Sequence, residues 1–111
     1  MPTATFVHDG ETLDYTPGAD VASGAVVVQG DLVGVAKRPI PANTLGTLAV
    51  EGVFDLPKST AGGSAIAAGT TVYWSTGAQQ ATATSAGNKL LGKTVKAAVD
   101  ADATVRVRLS Q

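Results

Sequence analysis

Apolar and polar positions alternate with a period of two along most of this chain. Near the C-terminus Val105, Val107 and Leu109 fall to one side and Arg106 and Arg108 to the other; in the middle, Leu48, Val50, Phe54 and Leu56 alternate with Thr47, Glu51, Val53 and Asp55. Successive side chains of a strand point to opposite faces of its sheet, so this pattern predicts half-buried strands. Further short strands are predicted over Thr12–Thr16, Ala25–Gln29, Leu32–Lys37, Thr70–Ser75, Gln80–Thr84 and Leu90–Lys96, divided by Gly, Pro, Asn and Asp turn residues. Turn signals recur too often for long helices. Two helical candidates, Ser64–Ala67 stopped by Gly69 and the poorer Val95–Val99, amount to a turn or two at most. Thr60–Ser64 and Ser75–Ala78 read as exposed loops, and Met1–Asp9 as a flexible arm with few anchors of its own. The uniformly apolar Ala25–Val28 is expected to be a central strand, because such a segment at an open sheet edge invites aggregation.

The chain also repeats itself. Leu32-Val33-Gly34-Val35-Ala36-Lys37, followed by Thr47-Leu48-Ala49-Val50, is answered 58 residues later by Leu90-Leu91-Gly92-Lys93-Thr94-Val95 and Val105-Arg106-Val107-Arg108. In this alignment Gly34 answers Gly92 and Thr47 answers Val105. Upstream, Ser23–Val28 is answered by Ala68–Tyr73 at a shift of 45, the difference reflecting a longer insert in the second half. Many short strands without helical spacers, in two related halves, predict a mainly β fold, a small sandwich or barrel. The expected organisation is an arm over residues 1–9 and a single β domain over 10–111, with the repeat at about 23–56 and 68–110. The closing strand Thr104–Ser110 is expected to pair around Gly46–Leu56.

Composition narrows the picture. A chain of 111 residues is enough for one domain that buries about two-thirds of its unfolded surface. Hydrophobic residues make up 44% but aromatics only 5%, so the core is built from Ala, Val and other small or β-branched side chains, which favours sheets. There is no cysteine, hence neither a disulfide framework nor a thiolate metal site. No run reaches the length of a membrane span and no signal-peptide pattern opens the chain, so a soluble protein without classical export is expected.

Net charge is −1, but the halves differ in sign. Residues 1–55 hold seven acids against Lys37 and Arg38, and residues 56–111 hold six bases against Asp100 and Asp102. Two readings follow: complementary patches steer one copy onto another, or the halves interleave in one sheet and neutralise each other within the monomer.

Gly87-Asn88-Lys89-Leu90-Leu91-Gly92-Lys93-Thr94 matches the phosphate-loop pattern G-x-x-x-x-G-K-[ST]. A working phosphate loop also needs a helix whose N-terminus faces the phosphates and a later strand carrying a magnesium-binding Asp. Only 17 residues follow Thr94 and they end in strand alternation, while Gly30–Ala36 in the first copy gives Gly92 a strand-forming counterpart. The lone His8 lacks converging ligands for a metal and no serine sits in a nucleophile elbow. Five aromatics and few bases do not make a nucleic-acid platform. The expectation is no enzyme, no catalytic, cofactor or metal residues, and no nucleic-acid or membrane partner.

The order of blocks carries a resemblance. Leu32-Val33-Gly34-Val35-Ala36, Val50-Glu51-Gly52-Val53-Phe54-Asp55-Leu56-Pro57-Lys58, Ala68-Gly69-Thr70-Thr71-Val72-Tyr73-Trp74, Leu91-Gly92 and Thr104-Val105-Arg106-Val107-Arg108-Leu109 together resemble a tailed-phage family of small capsid cement, or decoration, proteins. The resemblance runs from about Phe6 to Leu109, and some members are labelled as phage recombinases. It implies a β-tulip-like fold and a structural role. It further implies a protein made in the host cytoplasm and carried on the capsid exterior, expected to bind the major capsid protein on the expanded head and to brace the shell against internal DNA pressure. The family commonly acts as a homotrimer, a dimer being the alternative. On that reading Thr3, Ala4, Thr5, Phe6 and Val7 contact the capsid, and Arg106, Arg108, Trp74 and Lys58 are candidates for the self-association or docking surface. Two other functions compete. The Gly87–Thr94 string alone supports a nucleotide-dependent DNA-recombination factor, and Trp74 alone supports a carbohydrate-binding surface module.

Overall fold

Each half of the chain forms its own antiparallel sheet. The structure, a computed structural model, describes residues 11–110. Among them are nine strands: β1 (Thr12–Tyr15), β2 (Val26–Gln29), β3 (Leu32–Val35), β4 (Gly46–Ala49), β5 (Gly52–Pro57), β6 (Thr71–Ser75), β7 (Gln80–Thr82), β8 (Lys89–Thr94) and β9 (Thr104–Leu109). The first sheet runs β1-β4-β3-β2 and the second β5-β9-β8-β6-β7, two layers consistent with a small β-sandwich. The alternation over Thr47–Leu56 is two strands, not one: the chain leaves the first sheet after Ala49 and enters the second at Gly52. The closing strand β9 pairs with β5 and β8, all within the second sheet.

The two orders are the same order. β1, β4, β3 and β2 correspond to β5, β9, β8 and β6, and β7 is the insert between β6 and β8. Registers follow suit. Val26↔Val35 and Val27↔Gly34 in the first sheet reappear as Thr71↔Lys93 and Val72↔Gly92, while Thr12↔Ala49 reappears as Val53↔Arg108. The correspondence corrects the alignment at the last strand by one residue. Thr47 answers Arg106 rather than Val105, which puts the buried Leu48 and Val50 on the same face as the buried Val107 and Leu109. Burial alternation decides the register, since a one-residue slip would turn the apolar set outward.

The loops match as well. No helix occurs among the described residues. The two helical candidates instead supply Ile66 and Ala98, which bridge to each other, and Val21 and Ile40 form the same bridge in the first half. Beside these bridges one contact appears with its roles exchanged. The Ala42 amide donates to Asp20 at 2.8 Å, and in the second half the Ala65 amide, at the Asp20 position, donates to Asp100, at the Ala42 position, at 2.7 Å.

The larger core cluster contains Val33 and Val35 of β3, Val72 and Trp74 of β6, Leu91 of β8 and Val105, Val107 and Leu109 of β9, with Val26, Val28 and Phe54 packed against it. A smaller cluster of Ala36, Ile40 and Leu48 is closed by Tyr15, Val21 and Val27. Each fully buried Leu or Val contributes on the order of 2 kcal/mol. β3 lies against β8, and the equivalent positions Val33 and Leu91 are both buried in the larger cluster.

Two expectations are overturned here. The halves do not interleave in one sheet, yet charges of the two halves still meet: Asp55 of the acidic half stands on β5 against Arg106, and Asp31 pairs with Lys89. Val26–Val28, expected to be central, is an edge strand among the described residues, paired there with β3 on one side, and its side chains pack into both clusters.

Candidate functional site

The outer face of β5, β9 and β8 is the most distinctive surface of the described residues. Register places Val53, Arg108, Lys93 and Thr71 in one row across four strands. Asp55 and Arg106 stand in the next row, and the Val95 amide donates to the Arg106 carbonyl at 3.0 Å, so Val95 extends it. Val53 and Val95 are 54% and 47% exposed.

The charges on this face divide into a satisfied pair and an unsatisfied one. Arg106 donates to both oxygens of Asp55, at 2.9 and 3.3 Å. That hydrogen bond holds the Asp55 carboxyl below the usual carboxylate range, with the charges of Arg106 and Lys96 acting in the same direction, and it raises the Arg106 guanidinium. A cleft of about 200 Å³ opens here, lined by Asp55, Lys96, Asp102, Thr104 and Arg106 among others. Arg108 and Lys93, by contrast, lie directly opposite each other with no ion pair or side-chain hydrogen bond among the described residues. Like charges facing across a sheet cost stability. A fold that keeps them, flanked by two exposed valines, presents a surface suited to an acidic, partly apolar partner.

Of the residues singled out in the sequence, Arg106 and Arg108 lie on this face, and Thr3–Val7 lie outside the described residues. Trp74 and Lys58 are buried instead of lying on that face. Trp74 is 2% exposed within the core, so it offers no platform to a sugar. Lys58 is 4% exposed, and its ammonium sits among the carbonyls of Ser59 (2.6 Å), Val99 (3.0 Å), Asp102 (3.0 Å) and Asp100 (3.2 Å), with the Ser64 hydroxyl at 3.4 Å. Three N–H donors shared among those oxygens fasten the 99–102 loop to the end of β5. Lys93, Val53 and Val95 escaped the sequence reading, because their grouping depends on the register of β9 against β5 and β8, which alternation within each strand does not fix.

The phosphate-loop string takes another shape. Lys89–Thr94 is strand β8, which sends Lys93 outward and Thr94 inward. The Thr94 hydroxyl is already engaged, donating to the Ala67 carbonyl at 2.7 Å and accepting from the Thr70 amide at 3.0 Å. Gly92 has a packing reason. A Cβ there would collide with the Arg108 carbonyl oxygen and come within 2.8 Å of the Ser110 nitrogen, and a Cβ on its counterpart Gly34 would lie 2.8 Å from Leu48 Cβ. Both glycines let a neighbouring strand pass close. Among the described residues no three His, Cys, Asp or Glu side chains gather as a metal site, and no helix is long and apolar enough to cross a membrane.

No curated protein and no solved structure matched the chain. A family model described as phage cement protein matches residues 7–109, a span that takes in both sheets and the whole Lys93–Arg108 face. The chain belongs to the phage cement protein family.

Proposed function

We propose that this capsid cement protein acts without catalysis, binding the outer surface of the expanded head as a homotrimer and bracing neighbouring shell subunits against internal DNA pressure. The outer face of β5, β9 and β8 is its docking surface. The observation that carries this reading is the unpaired charges of Lys93 and Arg108, with exposed Val53 beside Arg108 in its own row and exposed Val95 in the next. Such a face meets carboxylates through charge-assisted hydrogen bonds and buries its valines as the rim closes. The fold behind it is rigid: Val105, Val107 and Leu109, on the reverse of the same strand, are almost wholly buried.

The test uses expanded heads assembled without the cement protein. The chain is expected to co-sediment with them, to appear at fixed stoichiometry on their exterior, and to raise the temperature at which they release DNA. Arg108→Glu with Lys93→Glu is expected to abolish co-sedimentation while the variant stays folded. Failure of the unaltered chain to bind heads refutes the reading, and undiminished binding by the double variant refutes this face.

A further inference from the structure

The Lys58 ammonium stands where oxygen atoms converge. Its Nζ lies 2.6 Å from the Ser59 carbonyl, 3.0 Å from those of Val99 and Asp102, 3.2 Å from that of Asp100 and 3.4 Å from the Ser64 hydroxyl. Five oxygens exceed the three protons an ammonium can donate, so the group is held as a charge as well as a donor. The Ser64 hydroxyl donates to the Ala61 carbonyl, which leaves its lone pairs for the ammonium. The carboxylates of Asp100 and Asp102 accept from the Ala65 and Val99 amides at 2.7 and 3.0 Å, and their charge adds to the negative potential of the loop.

The first half of the chain fastens the equivalent loop in the opposite sense. Counting on from Val53, which answers Thr12, the place of Lys58 is taken by Pro17, and the 99–102 loop is answered by 41–44. There the loop is tied through its amides: Asn43 donates to the Pro17 carbonyl and Ala42 to Asp20, both at 2.8 Å. In the second half three carbonyls of the loop turn to a single point. Dipoles aimed at one point repel each other unless a cation stands there.

We infer that Ser59, Ser64 and the 99–102 loop form a site for a monovalent cation of ammonium size, and that Lys58 fills it as a tethered ion. Converging backbone carbonyls replace the hydration shell of potassium in the same manner. Calcium takes oxygens at about 2.3–2.6 Å. The oxygens here lie at 2.6–3.4 Å, the spacing of a larger and more weakly charged ion. A cleft of about 160 Å³ lined by Lys58, Ser59 and Ser64 among others adjoins the site, so an ion from solution can reach it once the lysine is gone.

Lys58→Ala removes the tethered ion and leaves the oxygens. At equal ionic strength this variant is expected to melt about 4 °C or more higher in potassium or methylammonium chloride than in tetramethylammonium chloride, whose ion is too large to enter; calcium chloride gives no such gain. The unaltered chain, its site filled, is expected to show no such ranking, and neither is Lys58→Met, whose apolar side chain occupies the space. A Lys58→Ala midpoint indifferent to the cation, a ranking that the unaltered chain shares, or a variant unfolded in every salt overturns the inference. A response led by calcium overturns the monovalent assignment. Reductive methylation of the unaltered chain gives a check that needs no variant: Lys58 is expected to resist while the exposed Lys37 and Lys96 are converted, and conversion of Lys58 at their rate overturns the inference. None of these measurements involves a head, so their outcome is separate from that of the docking face.

Discussion

Asp31 and Lys89 occupy the same position in the two halves of the chain, 58 residues apart, and their side chains meet at 2.7 Å. β3 and β8, the equivalent strands of the two halves, lie against each other and bring these positions together. Two acids or two bases at this contact would repel, whereas the acid and the base present attract. The halves have diverged into an acid and a base at the point where they touch. The same reciprocity governs Asp20 with Ala42 and Asp100 with Ala65, where the acid has moved to the other member of the pair.

Acid is expected to weaken the protein through Asp31 and Asp55. Both carboxyls titrate below their ordinary value when folded, Asp31 through its hydrogen bond from Lys89 and Asp55 through that from Arg106. A depressed folded pKa stabilises above the unfolded value, near 3.9, and the effect is lost as pH falls through the folded one. Thermal midpoints of the unaltered chain and of Asp31→Asn with Asp55→Asn are expected to differ by a constant amount from neutral pH to about pH 5 and to converge below about pH 4. Both acids are solvent-exposed, so 1 M salt is expected to shrink the gap at every pH.

Gly92→Ala is expected to be more damaging than Gly34→Ala. At Gly92 the new methyl collides with the Arg108 carbonyl of β9, whose backbone is fixed by its ladder to β5; at Gly34 the closest approach is 2.8 Å, to Leu48 Cβ, a milder overlap that a shift of the buried β4 strand can relieve. Denaturant titration is expected to show a loss of about 3 kcal/mol for Gly92→Ala and about 2 kcal/mol for Gly34→Ala.

Lys58→Met is expected to cost about 3 kcal/mol in the same measurement, because it strips donors from carbonyls that are enclosed once Lys58 is packed. Lys58→Arg is not expected to rescue it, since a planar guanidinium does not fit a cage built for a compact ammonium. Faster exchange of amides in the 99–102 loop would accompany both.

The strands were legible in the sequence because alternation is a local property, and Val105–Leu109 reads the same alone as it does in the sheet. The pairing of β1 with β5 as counterparts was not, since Thr12–Tyr15 and Val53–Leu56 share only the aspartates Asp14 and Asp55. The burial of Lys58 and Trp74 was not legible, for opposite reasons. A lysine is normally solvated, and nothing local announces the carbonyls that two distant loops bring to Lys58; a lone tryptophan beside an exposed loop looks like a rim residue until Ala81 of the inserted strand is seen to pair with it. The proposed docking face was not legible because Lys93, in the string Gly87–Thr94, joins it through the strand opposite, Arg108 of β9, and not through its motif.

Lys93→Glu separates the stability of the chain from its work. In the free protein the substitution turns a repulsive cross-strand pair with Arg108 into an attractive one, worth about 0.5 kcal/mol, so the denaturation midpoint is expected to rise. On the head the same change removes a positive charge from the docking face and occupies Arg108 internally, so binding to expanded heads is expected to weaken and to lose part of its dependence on salt. A residue retained only for folding would move both measurements in the same direction. Opposite movement of the two identifies Lys93 as a position where the protein accepts lower stability in order to hold the shell.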